Sequence, residues 1–260
     1  MRTALIGFTG FVGSNVATQF EFDDFYNSKN ISDIRGRSYD LVVSAGNRAD
    51  SFRINNNQSD DLREVDQLAD HLERASIAEL VLMSTVCVYP GDTSPDENTP
   101  LSPTGLTPYG QNRLHQEKRL SSAFKTRSIR LPQLLGNGLK KGIIYDLSNN
   151  YRVEFINPHG RFQYYDIRDL WSDVSLARSS DLDALNIATP PLTSADVAQV
   201  CFDIDITQQT PDSPESEFSK MYTRDMRTAF ADLWGAEGPY IMSQSAEFAM
   251  ISDFVTSQSR

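Results

Sequence analysis

A strand, a glycine-rich turn and a helix follow one another within the first twenty residues. Gly7-Phe8-Thr9-Gly10-Phe11-Val12-Gly13 comes directly after the apolar run Ala4 to Phe8 and directly before a stretch whose Val12, Val16 and Phe20 share one helical face. The first glycine lets the chain leave the strand sharply, the second lets backbone approach a pyrophosphate, and the third lets helix and strand pack closely. The free N–H groups at the start of the helix then offer a partial positive charge to phosphate. In that context the turn, with Thr9, Phe11 and Val12 between its glycines, reads as a dinucleotide-binding element.

The rest of the first half repeats the alternation. Leu41 to Ser44, Leu80 to Met83 and Ser128 to Leu131 are strand candidates, and between the first two of these Leu62, Val65, Ala69 and Leu72 recur at helical spacing while Asp60, Asp61, Glu64 and Asp66 face elsewhere. Strands alternating with amphipathic helices predict a parallel sheet covered by helices. Pro90 to Pro108 is rich in Pro, Thr, Ser, Gly and acidic residues and predicts a long loop. Beyond Leu135 come a Gly/Lys segment from Gly136 to Gly142, a short helix, the stretch Tyr164 to Val174 and a small strand at Leu185 to Ala188. Thr207 to Glu217 reads as an exposed loop, and Ala246 to Val255 as a closing helix that buries Phe248, Ile251 and Phe254 or Val255.

Composition narrows the partners. The 260 residues carry 24 Lys+Arg against 35 Asp+Glu, a net charge of -11, with no basic run, which argues against nucleic acid and anionic membranes. At 39% apolar the chain can build a substantial core. The apolar N-terminal stretch is short and broken by glycines, so it is not read as a signal peptide, and no segment is long enough to span a bilayer. Cys87 and Cys201 match no redox or metal spacing, nor do the three histidines, which points to a reduced, cytoplasmic protein without a metal. Asn30-Ile31-Ser32 and Asn57-Gln58-Ser59 fit the glycosylation pattern but lack a secretory context.

The end of the second strand leaves the cofactor open. If the strand ends near Tyr26, then Asn27, Ser28 and Lys29 meet the adenine ribose, which favours NADP; if Asp23 or Asp24 ends it, a carboxylate can accept the ribose hydroxyls and NAD fits.

Further motifs follow in a recognisable order: Asp40-Leu41-Val42-Val43-Ser44-Ala45-Gly46, Leu82-Met83-Ser84-Thr85-Val86-Cys87-Val88-Tyr89-Pro90, Glu97-Asn98-Thr99-Pro100, Pro108-Tyr109-Gly110, Ile129-Arg130-Leu131-Pro132-Gln133-Leu134-Leu135-Gly136 and Tyr165-Asp166-Ile167-Arg168-Asp169-Leu170. In this order, from the first strand to at least Asp169, the chain resembles the extended short-chain dehydrogenase/reductase superfamily of nucleotide-sugar epimerases, dehydratases and keto-sugar reductases. The resemblance implies a Rossmann-type doubly wound parallel sheet with a small C-terminal substrate lobe. It assigns residues 1–135 plus about 164–189 to the nucleotide-binding domain, and about 136–163 plus 190–260 to the lobe. It places Ala45 and Gly46 under the nicotinamide ribose, Leu131 and Gln133 beside the cofactor, and Thr85 in the catalytic Ser/Thr slot. A homodimer paired through helices at 58–75 and 109–124 is implied by the same analogy.

The active-site helix departs from the family. Where Tyr-x-x-x-Lys is expected it reads Tyr109-Gly110-Gln111-Asn112-Arg113. Residues four apart share a helix face, and the family's lysine binds the ribose and lowers the tyrosine pKa. Arginine keeps the charge but brings a larger, planar fork. The resemblance therefore implies Tyr109 as proton acid/base, Thr85 as hydrogen-bond partner of the substrate oxygen, and Arg113 holding the ribose. It also implies a sugar or nucleotide-sugar pocket with Asn137, Lys140 and Arg161 near the substrate, although Lys140 and Lys141 read equally as solubility charges. His159, between Pro158 and Gly160, reads as a turn residue. Two functions stay open: an NAD(P)-dependent reductase or epimerase, and a catalytically degraded dinucleotide-binding protein with a sensing or scaffolding role.

Overall fold

The apolar runs of the first half become neighbours in one sheet. The computed structural model describes residues 1–91, 93–209 and 225–258. In chain order the elements are β1 (Thr3–Ile6), α1 (Phe11–Val16), β2 (Asp24–Tyr26), β3 (Ser38–Tyr39), β4 (Leu41–Ser44), α2 (Ser51–Asn56), α3 (Gln58–Leu72), β5 (Ser76–Ile77), β6 (Leu80–Thr85), α4 (Pro108–Ala123) and β7 (Thr126–Leu131). There follow β8 (Gln133–Leu135), α5 (Ile143–Ser148), β9 (Arg161–Phe162), β10 (Tyr164–Asp166), α6 (Leu170–Ser179), β11 (Ala184–Asn186), β12 (Leu192–Thr193), α7 (Ser194–Phe202) and α8 (Gln244–Gln258). A six-stranded sheet runs β11-β7-β6-β4-β1-β2. β1 lies parallel to both β2 and β4, and β4 parallel to β6. β1 and β4 are buried along their whole length, as strands covered on both faces must be. This is the parallel α/β sheet expected from the alternation, in the doubly wound form that the resemblance implies.

The chain divides into two compact units. The first comprises Met1–Pro90, Pro100–Arg130 and Ile167–Leu185; the second comprises Gly91–Thr99, Leu131–Asp166 and Asn186–Arg260. The first unit's core includes Ala4, Ile6, Val42, Leu80 and Leu82 of the sheet, with Ala69, Leu72 and Leu120 of the helices. Each such side chain, once fully buried, contributes about 1.5–3 kcal/mol of hydrophobic free energy if it is a Leu, Ile or Val.

Several elements differ from expectation in ways that have physical causes. α1 ends at Val16, before Phe20, whose ring leaves the expected stripe to stack on Trp171 at 4.1 Å. On α3 the buried positions are Asp61, Val65, Ala69 and Leu72, with Leu62 only half-buried. Val65, Ala69 and Leu72 thus face inward as expected, but Asp61 takes the inward place expected of Leu62, so a carboxylate lies in the stripe. The small strand is Ala184–Asn186, ahead of the expected Leu185 to Ala188.

The second unit has its own core, built on Leu135, Ile144, Leu147, Tyr164, Leu192, Val197, Ile251 and Phe254. β8 pairs parallel with β10, and β9 antiparallel with β12. α8 is longer than the expected Ala246 to Val255 and turns Glu247, Ile251 and Phe254 inward, while Phe248 and Val255 pack at the edge of the core. Between Pro90 and Thr107 no helix or strand forms among the described residues. Within that loop, Glu97 accepts hydrogen bonds from Asn186 N at 2.7 Å, Thr228 Oγ1 at 2.8 Å and Ala229 N at 2.8 Å, tying the segment into the second unit. The expected loop at Thr207 to Glu217 lies, from residue 210 on, outside the described residues.

Candidate active site

The parallel register puts the C-terminal ends of β1, β4 and β6 on one edge of the sheet. Gly7, the pair Ala45-Gly46 and Thr85 therefore open on the same side, where ligands of open α/β sheets bind. Gly7 leaves β1 at φ +83° with its N–H donating to the Tyr26 carbonyl at 2.7 Å. Gly13 is fixed by contact: a Cβ there would lie 2.1 Å from the Gly7 carbonyl oxygen, so any side chain would push α1 off the strand. Gly10 caps α1 with no side-chain bond, and Thr9 and Gly10 are exposed. The first-turn N–H groups have no intrahelical acceptors, so the turn fits a dinucleotide phosphate. Phe11 and Val12 lie half-buried in that first turn.

β2 ends at Tyr26, which resolves the geometry left open by the sequence. Asp23 accepts from Thr3 N at 2.7 Å and Thr3 Oγ1 at 2.9 Å. Asp24 accepts from Arg2 at 3.0 Å and from the Tyr39 hydroxyl at 2.8 Å. Both carboxylates are spent at the N-terminal end of β2. Past Tyr26 the chain makes a turn in which Asn27 Oδ1 accepts from Lys29 N at 2.9 Å and Asn30 Oδ1 from Asn27 N at 2.7 Å. Lys29 is exposed.

Thr85 ends β6 and caps the 3-10 turn Val86–Val88, its Oγ1 accepting from Cys87 N at 3.2 Å. α4 packs against that turn. Thr107 caps it through the Gly110 N–H at 3.2 Å, Pro108 occupies the first turn, and the Tyr109 N–H donates to Asn55 Oδ1 at 3.0 Å. A Cβ on Gly110 would sit 2.1 Å from the Cys87 carbonyl oxygen, so glycine allows α4 to dock on the turn after Thr85. The Tyr109 side chain is only 8% exposed. Burial pushes its phenol pKa up, and the charge of Arg113, aided by hydrogen bonding from Arg113 and Thr85, pulls it back.

Arg113 is engaged from more than one side. Its Nη1 and Nη2 donate to Asp61 Oδ2 and Oδ1 at 3.1 and 2.8 Å, and Nη2 also donates to the Arg48 carbonyl at 2.8 Å. The guanidinium carbon stands over the Tyr109 ring, 4.7 Å from its centroid. The side chain that the resemblance assigns to the ribose is thus engaged by α3 and lies over the tyrosine ring. One turn further along the same face, Glu117 accepts from Ser84 Oγ and from Arg130 Nε at 3.1 Å and Nη2 at 2.8 Å, while Arg130 Nη1 donates to the Tyr89 hydroxyl at 2.6 Å. Asp61, expected to face away from the stripe, and Glu117, which no motif singles out, are neighbours of the candidate site. The signal was present, since each acid is in phase with an apolar stripe: Asp61 with Val65 and Ala69, Glu117 with Tyr109 and Leu120.

The first unit thus brings together the glycine turn, Ala45, Gly46, Thr85, Tyr109 and Arg113. In the second unit, Leu131 is buried at the end of β7, Gln133 opens β8 with an exposed side chain, and Asn137, Lys140 and Arg161 are exposed. Among the described residues no group of three or more His, Cys, Asp or Glu side chains could hold a metal ion, and no helix is long and apolar enough to cross a membrane.

No protein-family model matches the sequence, and no curated protein matches it. Solved structures share its fold over the full length. MoeE5 in complex with UDP-glucuronic acid and NAD superposes with TM-score 0.74 at 15% identity, covering 100% of both chains. A UDP-galactose 4-epimerase superposes with TM-score 0.70 at 17% identity, covering 100% of this chain and 99% of that one. L-threonine dehydrogenase from Phytophthora infestans does so with TM-score 0.71 at 15% identity, again covering 100% and 99%.

Proposed function

We propose that this chain is an NAD(P)-dependent oxidoreductase or epimerase that acts on a sugar or nucleotide-sugar by hydride transfer, with Tyr109 as the proton acid/base. The observation that carries this reading is the placement of a buried tyrosine, with Thr85 and the Arg113 charge beside it, on the sheet edge that also bears the glycine turn. The solved neighbours support it: MoeE5 binds UDP-glucuronic acid and NAD on the same fold. Because L-threonine dehydrogenase shares the fold as well, the substrate class rests on the resemblance of the motifs and not on the fold alone.

A bound nicotinamide supplies hydride exchange with a substrate carbon. The chain's residues do the rest. N–H groups of the glycine turn bind the diphosphate, Ala45 and Gly46 line the ribose side, and Tyr109 Oη gives or takes the proton of the substrate hydroxyl. Thr85 Oγ1 donates to the same substrate oxygen and holds it at Tyr109. The Arg113 charge stabilises the phenolate that forms when Tyr109 gives up its proton. With no carboxylate at the end of β2 and Lys29 exposed beside the turn, the ribose end accommodates a 2'-phosphate. In the second unit, Asn137, Lys140 and Arg161 are the substrate-contact candidates.

The commitment of Arg113 to Asp61 favours one other reading, a dinucleotide-binding protein without turnover. Calorimetric titration with NAD(H) and NADP(H), followed by assays of NAD(P)H oxidation with keto-sugar nucleotides, separates the two. Turnover that falls by about 10²–10⁴-fold in Tyr109→Phe, with cofactor binding kept, is the expected result. Tight binding with no turnover across the panel selects the sensing reading, and no binding at all rejects both.

A further inference from the structure

The departure at Arg113 is matched by a residue on another helix. Asp61 meets the guanidinium at two points, 2.8 and 3.1 Å, and both side chains are at most 5% exposed. Asn112 Nδ2 donates to Asp61 Oδ2 at 2.8 Å and so fixes the carboxylate, while the Arg48 carbonyl holds the guanidinium from a third direction. A planar fork held at three acceptor atoms is fixed in orientation. It stands over the Tyr109 ring, 4.7 Å from the centroid, and its Nε–H is buried without an acceptor. A cation in this setting stays desolvated only while its carboxylate is present.

We propose that Asp61 is a positioning residue for Tyr109, acting through Arg113: it locks the guanidinium over the tyrosine ring, so that positive charge reaches the phenolate from a fixed neighbour and not from a lysine shared with the ribose. This deepens the reading of Tyr109 as acid/base and rests on it. The family's solution ties one ammonium to two tasks. Here the tyrosine's charge partner is supported by α3 and the ribose is left to other groups.

The sign of one shift tests it. Asp61 is itself an anion near Tyr109, so removing its charge with Arg113 unmoved would make the phenol easier to ionise. If instead Asp61 holds Arg113 in place, Asp61→Asn releases the cation and the phenol becomes harder to ionise. A fluorinated tyrosine placed at position 109 of the full chain brings the phenol into a range where folded protein can be titrated, and ¹⁹F NMR observes that residue alone. The expected outcome is a midpoint about one pH unit higher in Asp61→Asn, with no such rise when the same change is made in Arg113→Gln. An unchanged or lowered midpoint in Asp61→Asn overturns the proposal, as does an equal rise in both backgrounds.

Circular dichroism checks that each variant is folded. If Asp61→Asn does not fold, Asp61→Glu, which keeps the charge but shifts the carboxylate by one methylene, carries the test. The midpoint must rise in Asp61→Glu and not rise when the same change is made in Arg113→Gln; any other pattern rejects the role of Asp61. The titration needs neither cofactor nor substrate. Failure of the enzyme reading therefore shows up in the turnover assays, and failure of the Asp61 inference in the midpoint.

Discussion

Gly110 decides how close α4 comes to the turn that follows β6. With a Cβ only 2.1 Å from the Cys87 carbonyl oxygen, Gly110→Ala forces backbone to move, because neither the helix nor the 3-10 turn ends in a flexible side chain there. The expected cost is about 2–3 kcal/mol in urea denaturation, together with displacement of Tyr109 and loss of turnover out of proportion to the loss of cofactor binding. A stability change under 1 kcal/mol with activity intact would show that the two elements do not pack so closely. At this scale the glycine turn was legible because its spacing is a backbone requirement, met by residue type alone. Gly110 was visible only as part of a family motif, and its partner, the carbonyl of Cys87, carries no sequence signature at all.

α4 shows why amphipathic pattern reading works for placement and fails for chemistry. Its inward face carries Tyr109, Arg113, Glu117 and Leu120, a stripe at helical spacing in which two of the four members are charged. A reading that seeks apolar periodicity assigns such charges to the outside, as happened with Asp61 on α3. The charges are inside because they are paired: Arg113 with Asp61, and Glu117 with Arg130, each pair with side chains at most 6% exposed. Pairing across elements is a tertiary fact, and one chain read along its length does not display it. Breaking one partner of such a pair leaves an uncompensated buried charge. Glu117→Gln is therefore expected to destabilise the protein by about 3–5 kcal/mol. Replacing both members, Glu117→Leu with Arg130→Met, should recover most of that loss, since well-packed apolar groups replace buried pairs at little net cost. Equal denaturation midpoints for the single and double variants would count against the pairing as the cause.

The whole molecule carries a net charge of -11, yet one of its acids favours the uncharged form. Glu247 lies fully buried on α8 among the apolar residues of the second unit's core. Its Oε1 accepts from Tyr164 N at 2.7 Å and Thr189 Oγ1 at 2.9 Å, while its Oε2 and the Tyr164 hydroxyl are both buried without partners. Burial raises its pKa to about 8 from a reference of 4.5, against those two hydrogen bonds. The folded form then binds one proton more than the unfolded form between those two values, so the stability this group confers is complete below pH 4.5 and declines as pH rises through the window. The change amounts to a few kcal/mol, of which the plateau above pH 8 is the low end. His71 acts in the opposite sense, because burial and Arg35 depress its pKa below 6.5 and so weaken the fold on the acid side. Glu247→Gln isolates the carboxyl: guanidinium denaturation at half-unit steps from pH 5 to 8 should show stability falling in the wild type and a slope smaller by about one proton in the variant. Parallel curves would mean that Glu247 is solvated or paired in solution. A rise in stability with pH that is lost in the variant would mean that its native pKa is depressed.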